Sequence, residues 1–316
     1  MIREQDKPIF DKARVFVYRN ARPLDLARWK YYFENGSKEE VAECLKAYQN
    51  SDGGFGYGLE ADNLNPHSIP MQTWKATRFI WEIGGLDKSD TLITSTLDYL
   101  EHTKDFDGTS WRYVVESNNE YPHASWWHYP HPAWWQGSEA EIFTEKYNPT
   151  ASLIGFVLTY AKGAFFQKAK EVAVQAIDEL AEHGSVADMH VLPCFAQLYE
   201  YIIDAGLENF FEMEKFRTAL DSLIASEITQ DTTLWKTHYI FKPSAFFRTK
   251  ESPFYERNRD IAQYECRFIR EAQLPDGGYN VTWEWGGYPS EWEVSKNWWK
   301  AAITVDNMLF LKNISE

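Results

Sequence analysis

Cysteine is nearly absent: three residues, Cys44, Cys194 and Cys266, in a chain of 316. They are odd in number, widely spaced and set in helical patterns. That excludes a disulfide framework and matches no metal-ligand spacing, so they read as small buried apolar residues in a reducing compartment. Long hydrophobic runs are also missing. No stretch approaches the roughly 18 consecutive apolar residues a membrane span needs, and the polar segment 1–8 lacks the apolar run of a signal peptide. Cytoplasmic residence is the simplest expectation. Basic residues are outnumbered, 32 against 47 acidic, for a formal net charge of −15. A field of that sign repels phosphate backbones and anionic lipid surfaces, so neither nucleic acid nor a membrane surface is expected as a partner.

No linker or low-complexity segment divides the chain, and 44% of its residues are hydrophobic, enough for one large core over residues 1–316. Apolar residues recur at helical spacing from end to end. Segment 38–49 reads as an amphipathic helix, with Val41, Cys44, Leu45 and Tyr48 on one face and Lys38, Glu39, Glu40 and Lys46 opposite. Segments 87–102, 167–183, 212–225 and 257–273 repeat that style. Between them lie helices with few charges: 24–33, 69–83, 150–161, 186–203, 234–247 and 294–311. Helices poor in charge are buried on more than one side, and charged-face helices sit outside them. With 10–20 included, the alternation predicts an all-α fold, an α/α toroid of about six hairpins. Outer-to-inner links are long (50–68, 103–149 and 274–293), whereas inner-to-outer links are short. In a closed ring of alternating helices the long links gather on one face, where they wall a pocket.

Two of these long links open on one phrase. Gln49-Asn50-Ser51-Asp52-Gly53-Gly54-Phe55 is echoed by Gln273-Leu274-Pro275-Asp276-Gly277-Gly278-Tyr279, and a weaker third copy runs Asp105-Phe106-Asp107-Gly108-Thr109-Ser110-Trp111. In each, the Asp is placed to cap free turn N–H groups, a Gly allows positive φ, and the aromatic folds back over the helix end. The phrase resembles the repeat of the terpenoid cyclase and protein prenyltransferase superfamily, seen also in squalene–hopene cyclases. There a Gln-x-x-Asp-Gly-Gly-aromatic turn joins an outer helix to an inner one. Thr73, Ala76 and Ile80 after the first copy, and Thr150, Ala151 and Leu153 later, fit the helix that follows. By motif the resemblance covers 49–80 and 273–279, and by helix count most of the chain. It implies an α/α toroid acting on a hydrophobic isoprenoid. Departures are clear: the cyclase acid motif Asp-x-Asp-Asp is absent, and no cysteine stands near an Asp that could complete a zinc site.

The abundance that remains is aromatic, with 14 Trp, 18 Tyr and 20 Phe. Trp111, Trp126, Trp127, Trp134 and Trp135 fall in the second long link and Trp283, Trp285 and Trp292 in the last, with Trp74 near an inner-helix start. Aromatic faces stabilise carbocations and also stack on the apolar faces of sugar rings. Candidate acids are Glu60 and Asp62 in the first link, Asp105 and Asp107 in the second and Glu284, Glu291 and Glu293 in the last; Asp62 and Glu284 are the expected pair, with Glu60 and Asp107 beside them, while Asp52 and Asp276 read as turn caps. A glycosidase needs two carboxyl groups roughly 5–9.5 Å apart, and a cyclase needs one acid whose pKa desolvation has raised. His67 and His128 are expected in the pocket wall. The phrase holding His123, His128 and His131 matches no zinc spacing, so neither metal nor cofactor is expected. Lys104, Arg112 and Lys146 are the few cations of these links, which implies a neutral or cationic small-molecule ligand. Three readings follow: an isoprenoid cyclase-like enzyme, a cytosolic carbohydrate-active hydrolase or lyase, and a non-catalytic toroid binding a ligand or partner.

Overall fold

The computed structural model describes residues 2–131, 136–137, 139–183 and 190–316. Among the described residues the chain is helical, with isolated β-bridges and no strand. The helices are α1 (Lys7–Asn20), α2 (Pro23–Phe33), α3 (Lys38–Lys46), α4 (Pro70–Glu82), α5 (Thr91–His102), α6 (Glu139–Tyr147), α7 (Thr150–Tyr160), α8 (Gly163–His183), α9 (Val191–Asp204), α10 (Met213–Glu227), α11 (Arg259–Ala272) and α12 (Pro289–Ile314). Among these residues no helix is long and apolar enough to cross a membrane.

Local chemistry sets several boundaries. Proline opens α2, α4 and α12, where its missing N–H costs nothing. Asp90 caps α5 by accepting the Leu92 N–H at 2.8 Å. Amphipathic spacing places Leu92, Ile93, Thr96, Tyr99 and Leu100 of α5, and Ala262, Glu265, Cys266 and Ile269 of α11, on buried faces.

The chain divides into two compact units, Lys46–Ile224 and a second made of Met1–Leu45 with Ala225–Glu316. In the first, α4, α7 and α9 run in the same direction. Trp74 Nε1 donates to Gln197 Oε1 at 3.0 Å, Arg78 pairs with Glu200 at 3.4 Å, and Trp81 Nε1 donates to Asp204 Oδ2 at 2.8 Å. Numbers rise together along α4 and α9, so the two are parallel. Cys194 Sγ lies 3.5 Å from Asn148 Oδ1, bringing the start of α9 to the start of α7. The all-apolar run of α7 is buried along nearly its whole length, and Gly155 lets Tyr201 of α9 pack directly on its backbone. Parallel neighbours in a continuous chain require return helices, and α5 and α8 supply them. The long links into α4 and α7 therefore arrive at the same end.

In the second unit α2 and α12 are likewise parallel. Arg28 Nη2 donates to Asp306 Oδ1 at 2.7 Å, and Lys312 Nζ to the Tyr32 carbonyl at 2.7 Å. The two ends of the chain meet here: Arg270 of α11 pairs with buried Asp6 at 2.7 Å, and α1 packs on α12.

Two expectations need correction. Segment 234–247 is not an inner helix; it holds only the 3-10 turns Thr232–Lys236 and Pro243–Ala245. Pro243 clashes with a helical turn before it and lacks an N–H. Asp231 diverts the start into a tight turn by accepting the Thr233 N–H at 3.0 Å, and Trp235 Nε1 bonds the Thr229 carbonyl at 2.9 Å. The link 103–149 is not wholly loop, because it contains α6, where Phe143 and Tyr147 bury one face. The start of the expected helix 186–203 lies partly outside the described residues, and from Val191 onward it is α9.

Candidate functional site

The repeated phrase is a repeated structure. In the first copy Asp52 Oδ1 accepts the Gly54 N–H at 3.0 Å, and Gln49 Nε2 donates to the Gly53 carbonyl at 2.9 Å. In the second, Asp276 Oδ1 accepts from Gly278 at 3.0 Å and Gln273 Nε2 donates to Gly277 at 3.1 Å. Gly53 has φ +89° and Gly277 φ +95°, and a Cβ at either would lie 2.0 Å from the Ser95 carbonyl oxygen or 2.2 Å from that of Lys12. The third copy keeps the logic with a shorter loop. Asp107 accepts from the backbone of Thr109 at 2.7 Å and of Ser110 at 2.8 Å, and both hydroxyls also reach it. Burial alone would raise the Asp107 pKa; these bonds outweigh it and hold the group below the ordinary aspartate value. The closing aromatic reaches back over the preceding helix as expected: Trp111 Nε1 bonds Leu100 O, and the Tyr279 hydroxyl bonds Ile269 O, each at 3.0 Å. Backbone N–H groups of Phe55 and Trp111 each donate to a threonine near the start of a later helix, Thr73 of α4 at 3.1 Å and Thr150 of α7 at 2.9 Å.

The first two long links are stitched together above the starts of α4 and α7. Asn65 Nδ2 bonds Ser117 Oγ at 2.9 Å and Asn118 Oδ1 at 3.1 Å, Leu64 N bonds the Pro122 carbonyl, and Ala124 N bonds the Asp62 carbonyl. Fully buried Gln72 pins the first link from below, accepting from Leu59 and donating to the Asn63 and Asn65 carbonyls.

Between these links opens a polar cleft of about 830 Å³. Its wall takes Asn50, Ser51 and Asp52 from the first turn and His67 and Ser68 from the approach to α4. Lys104, Asp105 and Arg112 come from beyond α5, followed by Val115, Glu116, Ser117 and Glu120. Asp105 differs from the other acids. It is only 8% exposed, yet it lines the cleft. Among the described residues no donor bonds its carboxylate, and its nearest cation, Arg112 Nε, is 3.9 Å away. Burial pushes its pKa upward, with Lys104 and Arg112 pulling it partly back. A desolvated carboxyl group without hydrogen bonds, facing a solvent-filled cleft, is suited to donating a proton.

Of the residues expected from sequence, His67 lines this cleft, its Nε2 3.0 Å from the Tyr121 hydroxyl. Glu60 and Asp62 are buried in the first link, where Glu60 Oε2 accepts the Asp62 N–H at 2.8 Å. Trp111 is buried and stacked on Phe106 at 4.3 Å, Trp127 is buried against Tyr113 at 5.4 Å, and Trp126 is half-buried. Trp74 is half-buried in the α4–α9 contact. His128 is exposed, with Nδ1 3.2 Å from His123 Nε2. In the other unit Trp285 is buried against Trp292 and Glu284 is exposed. Half-buried Trp283 stands edge-to-face with Tyr239 at 5.3 Å and with Trp299 at 5.2 Å. Trp134 and Trp135 lie outside the described residues. Sequence reasoning offered both Asp105 and Asp107 as acids of the second link and ranked Asp107 higher, whereas Asp105 is the one that lines the cleft. It also passed over Glu116 and Glu120. Asp107 precedes Gly108 and is followed by Thr and Ser, an Asx-turn signature that marks it as the cap and leaves Asp105 without that duty. Compared with models of known protein families, with curated proteins and with solved structures, the chain matches none.

Proposed function

We propose that the chain is an α/α toroid and that its cleft binds a polyhydroxylated small molecule, neutral or cationic, with Asp105 as the proton-donating acid. This is the carbohydrate-active reading. The observation that carries it is the buried Asp105 carboxyl, which no donor bonds among the described residues, in the wall of an open polar cleft. Glycan-cleaving sites pair such a protonated acid with an ionised carboxylate across the ligand, and Glu116 and Glu120 on the same wall are available for that role. Hydroxyl, amide and carboxylate groups dominate the wall, a set that matches the donors and acceptors of a sugar. The toroid is supported by the parallel inner helices within each unit and by the threefold turn.

A second reading, an isoprenoid cyclase-like enzyme, draws on the Gln-x-x-Asp-Gly-Gly-aromatic turns. Burial of Trp111, Trp127 and Trp285 in packing contacts removes three of the aromatic faces it would use. The two readings separate in one experiment: titration of the protein, followed by nuclear magnetic resonance, with neutral and amino oligosaccharides and with an isoprenoid diphosphate. The carbohydrate reading expects shifts confined to residues 50–68 and 103–120 with a sugar, and loss of any turnover in Asp105→Asn. Shifts with the isoprenoid alone, or full turnover by Asp105→Asn, would reject it.

A further inference from the structure

We propose that His128 is an exposed proton-accepting base on the second long link, held in its reactive tautomer by His123. The Tyr121 carbonyl can only accept, and it lies 2.6 Å from His123 Nδ1, so that nitrogen carries a proton. In a neutral imidazole the other nitrogen is then bare. His123 Nε2 faces His128 Nδ1 at 3.2 Å and therefore takes a hydrogen bond from it. The proton on His128 is thus fixed at Nδ1, and its Nε2 presents a lone pair. That ring is exposed, and among the described residues His128 has no other side-chain partner.

The arrangement is built rather than incidental. His123 is 5% exposed and anchored by its bridge to Asn63, and the two rings lie nearly parallel at 13° with centroids 5.4 Å apart. A carbonyl holding one ring, and that ring holding a second, is the orienting logic of a base whose partner fixes its tautomer. When Nε2 takes a proton from a bound alcohol or water, the O–H bond breaks, its electron pair stays on oxygen and an N–H bond forms. The positive charge is then shared with His123, whose bond to the Tyr121 carbonyl strengthens as it gains charge. The hydroxyl of the same Tyr121 touches His67, which lines the cleft. The substrate class is one that yields a hydroxyl proton. His128 is the catalytic group and His123 a positioning residue. Neither role depends on Asp105.

Two measurements on the full chain test this. Nitrogen-15 spectra at neutral pH are expected to show His128 as the Nδ1–H tautomer. Diethyl pyrocarbonate then probes the lone pair. His128 Nε2 bonds to a reagent carbonyl carbon, the C–O bond to ethyl carbonate breaks, and the Nδ1 proton passes to His123. Mass spectrometry is expected to find ethoxyformylation of His128 slowed about tenfold in His123→Leu, the factor lost with one hydrogen bond to a group gaining charge. His123→Gln, whose amide oxygen accepts as the imidazole does, restores the rate. An Nε2–H tautomer at His128 in the wild-type chain overturns the proposal, as does an unchanged rate in His123→Leu. Should the Leu variant fail to fold, the wild-type spectrum and the Gln variant still decide it.

Discussion

Asp105 and Asp107 stand two residues apart and do opposite work. Asp107 is saturated by turn donors, whereas the Asp105 carboxylate receives none among the described residues and lines the cleft. Asp107→Ala is expected to lower stability by about 0.5–2 kcal/mol, as for loss of a cap, and to leave ligand binding intact. Asp105→Asn is expected to remove function with a melting temperature no lower at neutral pH, since the amide avoids the charge that burial disfavours. Parallel melts and ligand titrations check both, and the reverse pattern would exchange the two roles. Glu265 offers a pH test. Burial raises its carboxyl to about 7 from 4.5, even though Lys242 and bonds from Ser244 N at 2.9 Å and Oγ at 2.5 Å pull the other way. The folded state therefore favours the protonated acid. Its contribution is fully present below about pH 4.5 and is lost as pH rises towards about 7. Urea melts of wild type and Glu265→Gln across that window are expected to show the wild type losing ground with rising pH; a constant difference would mean that the carboxyl does not titrate there. The cap role of Asp107 is local and legible, since its donors are Thr109 and Ser110, but the burial of Asp105 and Glu265 depends on the packing around them and is not.

At the scale of the element, the turn and the helix after it form one unit. Gly53 and Gly277 combine positive φ with a neighbouring carbonyl oxygen where a side chain would begin. Gly53→Ala and Gly277→Ala are expected to cost about 2–4 kcal/mol, the range for combined backbone strain and overpacking. Gly84→Ala, with φ +79° but open space around it, is expected to cost only about 1–2 kcal/mol. Thermal melts of the three variants give the order, and equal losses would show that the close approach does not matter. Elements with a strong local signature were legible, the apolar run of α7 and the Asp-Gly turns, whereas α12 opens at Pro289, inside the expected link 274–293. Segment 234–247 was misread because its apolar residues mimic helical spacing, while the Asp231 turn and Pro243 impose a different backbone. Helix α6 was missed because its single buried face is short and its flanks are polar.

For the whole molecule, the first and last helices share a unit, and Gln273 Nε2 bonds the Ile9 carbonyl at 2.9 Å. Native-state hydrogen exchange is expected to show the slow amides of α1 and α12 opening with the same free energy although they lie at opposite ends of the chain. If α1 exchanged well before α12, their contact would hold little stability. What the sequence determined by itself was local: helical period, charge segregation into exposed and buried helices, and three turns whose Asp and Gly dictate their own geometry. Each of these is decided within a few residues, by capping bonds, allowed φ and the burial of one face. Which carboxyl lines the cleft, how the histidines pair and which tryptophans are packed away were decided only in the tertiary structure. Those properties depend on desolvation and on partners such as Asn65 with Ser117, or His123 with His128. Asn65 and Ser117 meet only when separate links of the chain are brought to one end of parallel helices, and His123 and His128, though close in sequence, meet only through the fold of their own link.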